Sequence, residues 1–520
     1  MAQMSAVVPC ELLLGDLHFG TEDAQNEGRA DAEAFKFFLD SFIEPQAIDI
    51  KEYLSGEKFF IRGRRGTGKT AFLRYIGEQT FDPDTKKNHR YVIFKEMSEA
   101  EKAAISASAA ARENDGAAPH DSEIDMSYGW RVFLHKELAR LICDNLDLVE
   151  NTDVATDYLK EAESFFDSEG GKSDVLTFLE KIKEGYIDVP LIGKIGIRTH
   201  PKAPKRVMVS ELSRRLSERL REITLRKGAQ LVLLIDELNP STKQTRDRDY
   251  SLIRNLVVAV DVLNKELRKH HGNSLLMICA VRSEVMQLVD PQGTEIAKRL
   301  KDNGDEILWR KRNPEDGYHL APIIRYVRLK IQAAERRKCG KAGNDDHVWS
   351  TYFDDKIFGI PPQVFIYQMT WARPRDVNQL LQTAVKASKK AKKFHDDVFR
   401  RVQTEVQKEF WRERQEELRL AFEPNEVLAL ERLLLEFNRE FSKSEFEGHL
   451  ENLSREDAEI KTLTERYSAQ HLLQELYKAG VIGNKHPSGR QLWEHEWDAH
   501  PKMQYVFVVH RGLWLHLRLI

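Results

Sequence analysis

No stretch of this 520-residue chain stays apolar for long. The longest runs, Leu231–Ile235 and Leu275–Val281, are far short of the ~20 residues of a membrane span, so no membrane-crossing helix is expected. The first residues, MAQMSAVVPCELLLGDL, lack a basic segment followed by an apolar one, so no secretory leader is expected and a cytoplasmic setting is the default. Cysteine is scarce. Cys10, Cys143, Cys279 and Cys339 are scattered with no CxxC pair, which argues against a disulfide framework and a zinc site. Neither sign of charge dominates: 80 Lys+Arg face 83 Asp+Glu. That balance excludes binding to nucleic acid through bulk positive charge and leaves only local basic patches. No repeat of fixed period is visible. What remains, 41% hydrophobic and 31% charged residues, is the composition of a globular protein of three or four domains at about 150 residues each.

Two short apolar segments precede turns of different kinds. KFFI (58–61) runs into a glycine-rich turn and then into helical spacing from Thr70. Gln230–Ile235 contains a continuous apolar run, as does Leu275–Val281, and both read as buried parallel strands. Tyr91–Phe94 is a further strand candidate. Ser210–Leu225 and Leu252–Leu267 read as helices between them, so the first part is α/β with a parallel sheet. Ala100–Asp125, rich in Ala, Ser, Glu and Asp, reads as an exposed or mobile insertion. Ile187–Ile197 reads as a hairpin. From about residue 315 the pattern is almost wholly helical, including a basic helical stretch at Val385–Lys393. Helices at Pro424–Glu440, Ser444–Glu451 and Ser468–Ala479, then strands at Leu492–Trp497 and Tyr505–Val509, follow the order of a winged helix.

The chemistry concentrates at Gly63-Arg64-Arg65-Gly66-Thr67-Gly68-Lys69-Thr70, which fits GxxxxGK[ST] with a strand before it and a helix after. Gly63, Gly66 and Gly68 let the backbone curl so that N–H groups face inward onto phosphate. The helix opening at Lys69 adds its positive dipole end. Lys69 is placed to bridge β- and γ-phosphates, and the Thr70 hydroxyl to ligate Mg²⁺. The run Leu231–Ile235 ends in Asp236-Glu237, carboxylates at the end of a strand where ligands of open α/β sheets bind. Asp236 is the expected Mg²⁺ holder, and Glu237 the expected general base on the attacking water. The strand SLLMICAV ends in Arg282-Ser283, either of which can sense the γ-phosphate. Arg375, in Arg373-Pro374-Arg375-Asp376 at a helix start, can reach it from a lid. No arginine finger stands out; Arg246, Arg248 and Arg299 are candidates.

At these residues the chain resembles AAA+-type P-loop ATPases of the origin-initiator and STAND branch. It is similar to bacterial phage-defence-associated P-loop ATPases that carry an FGxxDAxxE stretch, here Phe19-Gly20-Thr21-Glu22-Asp23-Ala24-Gln25-Asn26-Glu27, before the P-loop. The wing ending Val508-Val509-His510-Arg511-Gly512-Leu513 belongs to the same likeness. The resemblance implies an N-terminal segment (1–50) contacting nucleotide, with Phe19 against adenine. It further implies a P-loop core (51–300) with an insertion at about 98–210, a helical lid (301–415) and a winged helix (416–520). Arg375 then takes the sensor-2 position.

The expected function is an ATP-hydrolysing, Mg²⁺-dependent switch that controls assembly or a separate effector protein, in antiphage defence, as a homo-oligomer. A DNA-binding initiator or transposition-type ATPase is the alternative, as is a nucleotide-bound scaffold with negligible turnover. Winged helices commonly bind DNA, but the recognition-helix segment SAQHLLQELYKAG carries few cations for phosphate contact. Arg310–Arg312, Arg336–Lys338 and Lys389–Lys393 are denser patches, although such runs are often solvated helix faces.

Overall fold

In a computed structural model of the chain, the residues described are 11–21, 32–46, 48–79, 88–99, 101–102, 105, 119–163, 186–189, 205–238, 246–283, 285–286, 296–311, 313, 316–493, 495 and 500–520. The chain divides into two units. One comprises residues 47–65 and 69–307; the other comprises 1–46, 66–68 and 308–520.

The first unit is built on strands β1 (Phe60–Gly63), β2 (His89–Ile93), β5 (Leu231–Asp236), β6 (Leu275–Arg282) and β7 (Gly304–Glu306). They form one sheet in the order β2-β5-β6-β1-β7, parallel throughout. The continuous apolar runs explain the two central strands. Every residue of β5 is buried, and β6 is buried up to Arg282, as expected of strands covered on both faces. Because all strands point the same way, Gly63, Asp236 and Arg282 emerge at one edge, with Gly63 opposite Arg282 in the β1–β6 register. A separate antiparallel pair joins β3 (Tyr186–Val189) and β4 (Lys205–Met208). Of the hairpin expected within Ile187–Ile197, only residues 187–189 are described, and they pair with residues 205–207; the rest lies outside the described residues.

Helices Lys69–Gln79, Pro119–Cys143, Thr152–Glu163, Val209–Glu222, Arg246–His271 and Ile296–Asp302 accompany the sheet. The segment treated as an insertion supplies core. Trp130 is fully buried and its indole Nε1 donates to the carbonyl of Leu252 at 2.8 Å. His135, also buried, lies 3.0 Å from the Tyr158 hydroxyl through Nδ1 and 3.1 Å from the Ser217 hydroxyl through Nε2. Most of Ala100–Asp125 lies outside the described residues; Pro119 opens the long helix.

The second unit is mainly helical, with helices Pro322–Cys339, Asp345–Tyr352, Pro362–Met369, Pro374–Ala387, Asp396–Arg400 and Gln403–Leu418. The helix expected over Val385–Lys393 stops at Ala387. The carbonyls of Lys389 and Ala391 instead accept from the amides of Gly15 and Leu14, at 2.9 and 2.8 Å, so the lysine run is a turn that docks the N-terminal segment. Four helices follow: Pro424–Leu434, Lys443–Ser454, Ala458–Arg466 and Ala469–Lys478. They lead into strands β9 (Ile482–Lys485), β10 (Gln491–Leu492) and β11 (Val506–Val509), with β8 (Glu440–Phe441) earlier in the chain, in an antiparallel sheet ordered β10-β9-β11-β8. Among the described residues, the strands expected at Leu492–Trp497 and Tyr505–Val509 do not pair with each other; β9, which the sequence reading did not mark, lies between β10 and β11.

Cys143 and Cys279 are free thiols. Cys339 is disulfide-bonded, against the expectation from cysteine spacing; its partner lies outside the described residues. Among the described residues no helix is long and apolar enough to cross a membrane.

Candidate active site

The glycine-rich turn behaves as its composition demands. Gly66 and Gly68 adopt φ of +80° and +95°, a region that side chains with a Cβ rarely enter. The helix Lys69–Gln79 starts directly after it. The Lys69 ammonium is buried and donates to the carbonyls of Gly63 at 2.7 Å and Arg64 at 2.8 Å, which holds a cation at the mouth of the loop. One turn of backbone therefore combines a buried ammonium with the amide end of an eleven-residue helix.

Beside it, the Thr70 hydroxyl donates to Oδ2 of Asp236 at 2.7 Å, across 166 residues of sequence. The other oxygen, Oδ1, accepts the backbone amide of Glu237 at 2.7 Å. Asp236 is nearly fully buried, and burial pushes its pKa up; the Thr70 hydroxyl, the Glu237 amide and the charges of Lys69 and Arg282 oppose that rise. Glu237 itself sits at φ +56°. For a non-glycine residue this left-handed backbone costs roughly 1–2 kcal/mol, and such strain clusters where a side chain must be aimed.

Arg282 ends β6, half-buried, and its charge reaches Asp236. Ser283, its sequence alternative, donates instead to Glu306 Oε1 at 2.8 Å. The structure thus brings Lys69, Thr70, Asp236, Glu237 and Arg282 together at one sheet edge. Arg64 and Arg65 are half-buried at the start of the turn.

Residues 66–68 belong to the other unit. There the Arg375 amide donates to the Gly66 carbonyl at 3.2 Å, and a Cβ on Gly66 would lie 3.1 Å from the Arg375 Cβ. The Arg375 guanidinium pairs with Glu413 at 3.4 Å. Trp309, which no sequence signal marked, is buried and donates from Nε1 to the Thr67 carbonyl at 2.9 Å. Phe19 is fully buried in this unit, 6.2 Å from the Phe394 ring, with its amide on Gln382 Oε1 at 2.9 Å. It is a core residue here; Asp23, Ala24 and Glu27 lie outside the described residues.

Two of the arginine-finger candidates are engaged within the chain. Arg248 pairs with Glu99 at 2.6 Å and with Asp249 at 3.1 Å. Arg299 closes on the fully buried Asp261. The side chain of Arg246 lies outside the described residues.

The donor set suits a small hard cation. A hydroxyl and a carboxylate oxygen are the ligands Mg²⁺ takes from protein, the remainder of its octahedron being phosphate and water. No cluster of three His, Cys, Asp or Glu side chains that could hold a metal occurs among the described residues, and Mg²⁺ bound in that manner needs none. Neither a scan against protein-family models nor a search of curated proteins finds a match for this chain.

Proposed function

We propose that the chain is an ATP-hydrolysing P-loop switch of AAA+ type, whose nucleotide state controls its own assembly or a partner effector. The observation that carries this reading is the 2.7 Å contact between Thr70 and Asp236. It sets the first-turn hydroxyl of the glycine loop and the strand-end carboxylate on one point beside a buried lysine. Lys69 offsets charge on the β- and γ-phosphates, and the loop amides with the helix end cradle them. Thr70 and Asp236 are the residues that would hold Mg²⁺, which when bound neutralises phosphate charge. Glu237 accepts the proton of the attacking water, and Arg282 supplies further positive charge toward the γ-phosphate; a sensor-2 role for Arg375 rests on the resemblance alone. The four C-terminal helices and their antiparallel sheet fit a winged-helix body elaborated by one helix.

A role in antiphage defence belongs to the same proposal and rests on the FGxxDAxxE likeness; a homo-oligomeric state belongs to it because the γ-phosphate charge calls for a further cation, which a neighbouring copy can supply. DNA binding through the lysine run is the weaker reading, because Lys392 pairs with Glu11 at 3.6 Å and Lys393 donates to the Ser350 carbonyl at 2.7 Å. The deciding experiment measures Mg²⁺-dependent phosphate release and nucleotide affinity in the intact chain and in Lys69→Ala. Loss of turnover with much weakened binding is expected; turnover near that of the unmodified chain overturns the proposal.

A further inference from the structure

Two consecutive peptide units at the tip of the glycine loop are oriented from outside it. The Thr67 carbonyl accepts Nε1–H of Trp309 at 2.9 Å, and the Gly66 carbonyl accepts the Arg375 amide at 3.2 Å. A trans peptide is planar, with its C=O and N–H pointing to opposite sides. A donor that fixes a carbonyl therefore aims the next amide the other way. Trp309 sets the amide of Gly68, and the first turn of the helix Pro374–Ala387 sets that of Thr67.

The unit between Thr67 and Gly68 has most need of such a hold. Gly68 stands at φ +95°, and a Cβ added there would meet nothing within 4 Å. No neighbour crowds that side of its α-carbon, and glycine reaches the opposite sign of φ at little cost. This peptide can therefore turn over. Turned over, it presents the Thr67 carbonyl oxygen, the negative end of a dipole, where the Gly68 amide had stood. A loop that receives phosphate then loses a donor and gains a repulsive oxygen in one rotation.

Trp309 is itself firmly held. It is buried, and its ring meets Tyr326 edge-on at 5.5 Å. The Tyr326 hydroxyl donates to Asn378 Oδ1 at 2.9 Å. The Trp309 carbonyl accepts the Ile323 amide at 3.0 Å, in the first turn of the helix Pro322–Cys339. An indole N–H can only donate, and when buried it needs an acceptor. Phenylalanine would fill much of the same space and supply no donor.

We propose that Trp309 is a positioning residue for phosphate binding: its indole N–H keeps the Gly68 amide turned toward the phosphates of a nucleoside di- or triphosphate. This rests on the nucleotide reading above and adds the group that holds the cradle in its receptive form. Trp309 acts through the Thr67 peptide and touches no substrate.

The experiment uses the full chain with Mg²⁺, and measures ADP affinity by calorimetry and kcat and KM for ATP. Two variants remove the donor. One is Trp309→Phe; the other carries benzothienylalanine at position 309, which keeps the bicyclic shape with sulfur in place of N–H. Trp514→Phe is the control, because it removes a comparable indole bond, to the Val509 carbonyl at 2.8 Å, remote in sequence from the loop. Without the Trp309 donor, Kd for ADP and KM for ATP should rise by roughly fivefold or more, the scale of one hydrogen bond, with kcat nearly unchanged. Trp514→Phe should leave all three unchanged, whatever its melting temperature. Should Trp309→Phe fail to fold, the benzothienylalanine chain decides. Unchanged ADP affinity in the donor-less variants overturns the proposal and leaves the nucleotide reading standing. A loss confined to kcat overturns it too, as does an equal weakening in Trp514→Phe. An unmodified chain that binds no ADP overturns both.

Discussion

The Arg299 guanidinium closes on Oδ2 of Asp261, a carboxylate with no exposed surface, while Asn303 donates to the other oxygen at 3.1 Å. Lys265 shares the same carboxylate at 2.9 Å from a mostly exposed position. A residue that sequence position nominates for a neighbour's phosphate thus neutralises a buried acid of its own chain. Arg299→Ala should cost about 1–3 kcal/mol of stability, the full value for breaking a buried pair being reduced by Lys265 and partial exposure. Urea unfolding measures this. A variant as stable as the parent but without turnover would return Arg299 to the catalytic candidates.

Glu237 combines function and strain. Glu237→Gln should retain nucleotide but lose roughly 10²–10⁴ in turnover, since an amide cannot take a proton from water. Glu237→Gly should lose turnover equally and yet melt higher, because glycine accepts φ +56° without the Cβ clash. The gain should be about 0.5–1 kcal/mol, less than the strain itself, since glycine also loosens the unfolded chain. Thermal melts of the two variants side by side test it; equal melting temperatures would contradict the strain argument.

Acid should loosen the fold through its buried histidines. Burial drives the pKa of His135 to about 3 and that of His18 to about 4, from 6.5. Such a group takes up its proton on unfolding, so its contribution is complete above pH 6.5 and fades as pH falls toward the folded value. Each should therefore cost about 1.4 kcal/mol at pH 5.5 relative to pH 7.5. Urea midpoints at those two pH values should differ accordingly, with a flatter dependence in His135→Gln. An unchanged slope in that variant would mean that other groups carry the effect.

Assembly is testable through concentration. Phosphoryl transfer leaves charge on the γ-oxygens, and an arginine supplied by a neighbour is worth roughly 10³–10⁵ in rate. With Arg248 and Arg299 paired in their own chain, Arg246 is the candidate left of the three. Turnover per chain should rise between nanomolar and micromolar protein and fall in Arg246→Ala. A flat specific activity, with a monomer by light scattering in ATP, would rule out a shared site.

The strands at Leu231–Asp236 and Leu275–Arg282 were legible because burial on both faces demands an unbroken apolar run. The glycine loop was legible because only glycine serves at Gly66 and Gly68. Strand β7 was not: Gly304-Asp305-Glu306 has no apolar residue to announce it. It exists because Gly304 fits under β1, where a Cβ would come within 2.1 Å of the Phe60 carbonyl oxygen. The surroundings of Phe19 were not legible for a related reason. An aromatic ring suits a purine and a hydrophobic core equally, and only the tertiary partners Phe394 and Gln382 distinguish them. The pairing of Arg248 and Arg299 likewise depends on acids 149 and 38 positions away, beyond any local pattern.

The helices between residues 119 and 163 look, on paper, like a cassette that could be cut out to leave a smaller protein. Trp130 and His135 say otherwise. Excision would strip the indole from the Leu252 carbonyl and the imidazole from Ser217, and would open apolar surface along Arg246–His271 and Val209–Glu222. A truncated chain should therefore aggregate rather than work. Any relative lacking this segment must have refilled the face with other side chains, so its loss or gain cannot be a single neutral step.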